Sequence, residues 1–250
     1  MRQQLKSIGF IKFTANMNQF LDTSYDQELI KHKGLTWLPW IGKDYSKSQV
    51  KTLILGESTY NWAKDDLKRE EVARSIQDEN HLRRVHQNNA IDFKGKSLYA
   101  RNIEKAIFQQ GQESLKNAHV LWGNVGYHNL VLRAMSTVKD RPKHKDYIEG
   151  WLTVLSLLEI LSVDQCIMYG LEGIKIKSLA ELCKAQNVEY KYSKIQPAVG
   201  RSYARVMNIQ LKNKYIKILF IRHPSAYFSW NKWGAIMHDQ LNLTQFTRPV

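Results

Sequence analysis

Four short apolar runs constrain this chain more than any other feature. They are Lys51–Gly56 (KTLILG), part of Val120–Leu130 (VLWGNVGYHNL), Asp164–Gly170 (DQCIMYG) and Ile216–Arg222 (IKILFIR). Each is rich in β-branched or aromatic residues, and three of them end in Gly or a polar turn, the pattern of strands buried on both faces. Helical periodicity lies between them. Ile148, Trp151, Leu152, Leu155 and Leu158 recur at helical spacing within Asp146–Ser162. Ile174, Leu179, Leu182 and Cys183 mark a second helix, and Ile103, Ala106 and Ile107 a third. Asp65–Val85 is charged and weakly periodic and reads as a partly exposed helical excursion. Asn213-Lys214 turns a last hairpin between Val206–Leu211 and Tyr215–Ile221. Strands alternating with helices predict an α/β protein, a three-layer α/β/α fold with a central, mainly parallel four-stranded sheet. No repeat or Pro/Gly/Ser-rich linker divides residues 1–250, which read as a single domain. Ligands of such sheets bind at the carboxyl ends of the strands. Chemistry is therefore expected just after Gly56, around Asn129, after Gly170 and after Arg222.

Composition narrows the class. Hydrophobic residues make up 43% and aromatics 11%, which excludes a disordered chain. No apolar run reaches the roughly 18 residues of a membrane span. The start, MRQQLKSIGFIKF, lacks the apolar core of a signal peptide. A cytoplasmic protein with no membrane partner is expected. Cys166 and Cys183 are too few for a disulfide framework, an iron–sulfur cluster or a four-cysteine zinc site. They read as reduced packing residues, and no cofactor or metal is expected. Lys and Arg number 37 against 23 Asp and Glu, a formal charge of +14. An excess of that size points to a polyanionic partner. It is spread over Lys64, Lys68, Arg69, Arg74, Arg83 and Arg84, then Lys139 to Lys145, then Lys191 to Arg205. Distributed charge fits a folded nucleic-acid-binding face better than a membrane-targeting tail.

The segments after the strands carry the candidate chemistry. GESTYNW, Gly56 to Trp62, has neither a dinucleotide-binding glycine pattern nor a phosphate-loop lysine. Gly56 allows a tight turn, and Glu57 is a carboxylate at the mouth of the sheet. From these residues alone Glu57 serves equally well as a cap, with Tyr60 packed over the sheet edge. Asn129 closes a strand with an amide that matches the donor and acceptor edge of a base, although a structural Asn is the commoner case. His128 beside it reads as structural. RHPSAYFSWNKW, Arg222 to Trp233, puts a histidine at a strand end and then a rigid Pro-Ser corner. The aromatics Tyr227, Phe228, Trp230 and Trp233 beside Arg222 and Lys232 suit either a loop that stacks or wedges bases or a plug over the core.

Taken in order from roughly Leu38 to Trp233, these segments resemble the uracil-DNA glycosylase superfamily. LILGESTY is similar to its first motif, and Asn129 in GYHNLV to its base-reading asparagine. Trp151 to Gly170 resembles its third unit. IRHPSAYFSW resembles its His-Pro-Ser motif, whose histidine faces the base and whose following loop enters the minor groove. The first motif departs from the best-known branch, which has Asp-Pro where Ser58 and Thr59 stand here. Branches with Gly-Glu there usually carry an iron–sulfur cluster, which two cysteines cannot hold. The resemblance thus implies a divergent, cluster-free member: a monofunctional DNA glycosylase that flips out an altered base and hydrolyses its N-glycosidic bond.

On that reading Glu57 and His223 are catalytic. His223 donates to the departing base, and Glu57 polarises water or stabilises the sugar cation. Asn129 reads the base, Tyr60 walls the pocket beside C5, and Gly56 joins them in binding the base. Tyr227 fills the gap left by the flipped base, with Phe228 as the second choice. Ser225, Arg201, Ser202 and Arg205 clamp phosphates. The partner is duplex or single-stranded DNA, bound through its backbone without sequence preference by a monomer. The target is uracil or another deaminated base, in repair, or a bulky phage-type cytosine such as glucosylated hydroxymethylcytosine, in antiphage defence. Two other classes stay open: a catalytically silent DNA-binding protein on the same fold, and an enzyme of nucleotides or another phosphorylated metabolite.

Overall fold

The computed structural model describes residues 19–247 except 62, 64, 95, 96, 138 and 226. Lys64 and the opening segment MRQQLKSIGFIKF therefore lie outside the described residues. The strands are β1 (Trp40–Ile41), β2 (Thr52–Gly56), β3 (Thr59–Tyr60), β4 (Val125–Asn129), β5 (Ala134–Met135), β6 (Gln165–Tyr169), β7 (Tyr190–Lys194), β8 (Arg205–Leu211) and β9 (Lys214–Ile221). The helices are α1 (Asp26–Leu29), α2 (Asp66–Ile76), α3 (His81–His86), α4 (Leu98–Phe108), α5 (Leu115–Asn124), α6 (His144–Ile160), α7 (Gly173–Ala185), α8 (Trp230–Gln240) and α9 (Thr244–Thr247).

The protein is an α/β protein built on a seven-stranded mixed sheet in the order β1-β4-β2-β6-β9-β8-β7. The expectation of four strands is corrected. The four parallel strands β4, β2, β6 and β9 are the expected apolar runs, and β1, β8 and β7 add antiparallel edges. The β8–β9 hairpin is the expected one. The edge strands escape an apolar search for a physical reason: β7 (YKYSK) is almost wholly exposed, and β1 is only two residues long. A separate two-stranded sheet pairs β3 with β5. The run at Val120–Leu130 divides, with α5 continuing to Asn124 before Val125 turns extended and opens β4.

Strand alternation sorts the core into two faces. Ile54, Ile167 and Leu219 pack with α4, α5 and α8, whereas Leu53, Leu55, Cys166, Met168, Ile218 and Phe220 pack with α6 and α7. Leu53, Ile54 and Leu55 are all fully buried, and each such side chain contributes about 1.5–3 kcal/mol. Cys166 and Cys183 are free, buried thiols. Burial pushes both thiols up, Cys183 to about 11, so they stay protonated packing groups. Among the described residues no helix is long and apolar enough to cross a membrane. The parallel register sets Gly56 opposite Asn129 and Tyr169 opposite Ile221. All four of the expected positions thus lie along one edge of the sheet.

Candidate functional site

Close packing starts the site. The backbone of Gly56 lies so near β4 that a Cβ there would collide with Asn129 Oδ1 and the Tyr127 hydroxyl. Beyond the strand, Leu130 N–H donates to Gly56 O and Val131 N–H to Glu57 O, at 2.9 and 2.8 Å. These bonds hold Glu57 at the sheet edge. The Asn129 amide is oriented from both sides, accepting from Tyr127 OH at 3.2 Å and donating through Nδ2 to Thr59 Oγ1 at 3.0 Å. One amide N–H and one oxygen lone pair stay uncommitted.

Glu57 is held unevenly. Its Oε1 accepts from Tyr147 OH on α6 at 3.0 Å and forms an ion pair with Lys175 Nζ on α7 at 3.0 Å. Its Oε2 meets only the Tyr60 hydroxyl, at 3.5 Å. Lys175 is fully buried, while the Glu57 side chain is 17% exposed. Lys175 also donates to Tyr169 O at 2.8 Å and Glu172 Oε2 at 2.9 Å. Gly170 makes room for this arrangement: its φ is +98°, and a Cβ there would overlap Glu172 Oε2 and Lys175 Nζ. Burial pushes the Glu172 carboxyl up, but the Lys175 ammonium overcomes that and holds it below its ordinary value. Burial and the neighbouring Glu57 both raise the Tyr147 hydroxyl, which stays a donor.

His223 stands in the same electrostatic neighbourhood. Burial lowers its pKa, and the charged groups acting on the ring are Glu57, Lys175 and Glu172. The backbone N–H of Ser225 donates to His223 Nδ1 at 3.2 Å, and the Ser225 hydroxyl lies 2.8 Å from the same nitrogen. Because a backbone N–H can only donate, Nδ1 is the acceptor and the ring proton resides on Nε2. The ring meets Tyr169 edge-on, with centroids 5.6 Å apart. Asn102 Nδ2 donates to Pro224 O at 2.6 Å and ties the His-Pro-Ser corner to α4.

The fold thus brings Gly56, Glu57, Tyr60, Asn129 and His223 to one edge. The residues expected to bind DNA divide. Tyr227 is 91% exposed with φ +50°, and the Arg222 guanidinium lies 5.7 Å from its ring centre. A non-glycine residue at such a φ costs about 1–3 kcal/mol. Phe228 instead stacks on Trp233 with centroids 6.1 Å apart and packs against the core. Arg201 is exposed. Ser202 Oγ accepts from Arg222 Nη1 at 3.4 Å, and Arg205 is committed to Leu171 O at 2.6 Å. The Ser225 hydroxyl is engaged with His223. His128 is buried between Asn129 O and Trp37 O and is structural.

The reading of distributed charge needs correction. Arg83 is buried on Asp26 at 2.6 Å, Arg84 pairs with Asp78 at 2.7 Å, and Lys68 and Arg69 pair with Asp65 and Asp66. Among the described residues Lys191, Lys194, Arg201, Arg222 and Lys232 have no carboxylate partner.

Lys175, Tyr147 and Glu172 were not expected. The helical phase held the signal. Lys175, Leu179 and Leu182 share one face, so the lysine lies inside the apolar stripe, while Ile174 is largely exposed. Among the described residues no group of three His, Cys, Asp or Glu side chains is arranged to hold a metal ion. Three surface clefts, of 580, 670 and 540 Å³, are lined by other residues. The site is a sheet edge whose side chains are buried or half-buried. No protein-family model matches the chain, and comparison with curated proteins finds no significant relative.

Proposed function

We propose that this protein is a DNA N-glycosylase of the uracil-DNA glycosylase type, with that family's three-layer arrangement, acting on an altered base turned out of the helix. The observation that carries the reading is the convergence of His223, with its proton on Nε2, and a carboxylate whose Oε2 has only a long contact to Tyr60, beside an oriented asparagine. Cleaving an N-glycosidic bond moves the bonding pair onto the base and leaves positive charge on the sugar. The neutral His223 ring donates its Nε2–H to the base oxygen as negative charge grows there. Glu57 Oε2 accepts a proton from the water that attacks C1′, and Oε1 stays with Tyr147 and Lys175. Asn129 meets the edge of the base with its remaining donor and acceptor. Tyr227 enters the gap in the stack, and Arg201, Lys194 and Arg222 face the phosphates, which makes binding salt-sensitive.

The test is a panel of duplex and single-stranded oligonucleotides carrying uracil, hypoxanthine, xanthine or bulky cytosines, scored by cleavage at abasic sites. The expected result is abasic product from at least one base, with His223→Ala lowering release by about 10² or more. Tyr227→Ala is expected to damage duplex substrates more than single-stranded ones. Tight binding with no abasic product from any substrate would favour the silent DNA-binding protein instead.

A further inference from the structure

Resting on that reading, we infer that Lys175 is the positioning residue of the site: its buried ammonium selects which oxygen of Glu57 meets the water. Three observations support this. First, Lys175 donates to Tyr169 O and Glu172 Oε2 at 2.8 and 2.9 Å and forms an ion pair with Glu57 Oε1 at 3.0 Å. Second, the side chain is fully buried, so water replaces none of these partners, and the cation is kept by its carboxylates. Third, Gly170 opens the space that Glu172 Oε2 and Lys175 Nζ occupy.

The consequence is geometric. Tyr147 and Lys175 both hold Oε1, so the carboxylate cannot rotate without breaking a hydrogen bond and a buried ion pair. Oε2 is left as the oxygen with open lone pairs. The same burial means that Lys175 is no amine nucleophile: with its ammonium held by three oxygens and no access to solvent, it cannot attack a sugar carbon. The cation therefore acts through Glu57 alone and touches neither base nor sugar.

The experiment compares single-turnover base release and DNA affinity in the full chain for wild type, Lys175→Met, Glu57→Ala and the double variant, using the best oligonucleotide of the panel above. Lys175→Met is expected to lower the rate about 10- to 100-fold with DNA affinity unchanged. The double variant is expected to be no slower than Glu57→Ala, because a residue acting only through Glu57 has nothing left to lose. Should Lys175→Met fail to fold, Lys175→Gln keeps a neutral donor at that place and faces the same comparison. Wild-type rates in the lysine variant, additive losses in the double variant, a parallel loss of DNA affinity, or a borohydride-trapped adduct that needs Lys175 would each overturn the inference. Failure of the wild type to release any base would instead overturn the glycosylase reading, and the inference with it.

Discussion

Glu57 and Glu104 are both carboxylates drawn inward beside a cation and an aromatic donor, yet their surroundings differ. Glu104 sits within α4, 2.9 Å from Arg101 one turn earlier in the same helix and 2.6 Å from Trp122 Nε1. It is sealed, and its Oε2 has no hydrogen-bond partner among the described residues. Burial pushes its pKa up to about 7, against the opposing pull of Arg101 and Trp122. Glu57 instead follows the end of a parallel strand, and its partners Tyr147 and Lys175 come from two separate helices. Its side chain is 17% exposed, and its charge acts on the His223 ring. Burial next to a cation therefore does not by itself mark a working carboxylate. What separates the two is position at the sheet edge and a side chain that stays partly exposed.

The largest expected difference is in stability. Glu104→Ala strands Arg101 inside the protein and is expected to cost about 3–5 kcal/mol. Glu57→Ala leaves Lys175 paired with Glu172 and should cost less than half of that. Thermal or urea unfolding of the two variants checks this, and equal costs would erase the structural half of the contrast. Catalysis is expected to reverse the order. Glu57→Ala should lower base release by about 10² or more, whereas Glu104→Gln, assayed as folded protein, should stay within about threefold of wild type. A loss in Glu104→Gln matching that of Glu57→Ala would break the comparison.

The smallest effect lies in the pH dependence of stability. The Glu104 carboxyl is raised from 4.5 to about 7 on folding. The folded state therefore holds a proton that the unfolded chain has released, so this contribution is full below pH 4.5 and is lost as pH rises toward 7. Its slope is at most about 1.4 kcal/mol per pH unit. Buried His86 runs the other way. Burial first, and Arg101 after it, push the ring from 6.5 down to about 3, so its contribution is full above pH 6.5 and fades as pH falls below that. Glu104→Gln should remove the loss on the alkaline side and leave the His86 slope intact. Unfolding free energies measured from pH 4 to 8 would sharpen the assignment, and an unchanged profile would refute it.

Much of this architecture was legible along the chain because parallel strands covered on both sides must be apolar throughout, as in Leu53–Leu55 and Ile216–Ile221. The antiparallel edges were not, since β7 carries Tyr and Lys outward and has no apolar signature. In the site, Glu57 and His223 stood out because they directly follow strands. Lys175 did not, since Lys175 and Lys177 look alike until the helix is phased, and the phase is one residue away from the reading centred on Ile174. The basic stretch around Arg83 misled for a related reason: composition counts charges but does not show that Asp26, far back in the chain, cancels one of them.

Local chemistry along the chain was enough to determine the four parallel strands, the helices between them, and a histidine and a glutamate at strand ends, because propensity and periodicity act over a few neighbouring residues. Packing alone decided that Lys175 enters the interior to meet Glu57, and that Asn102 ties down the His-Pro-Ser corner at Pro224. Those outcomes rest on partners dozens of positions apart, which meet only when the sheet closes and water leaves the space between them.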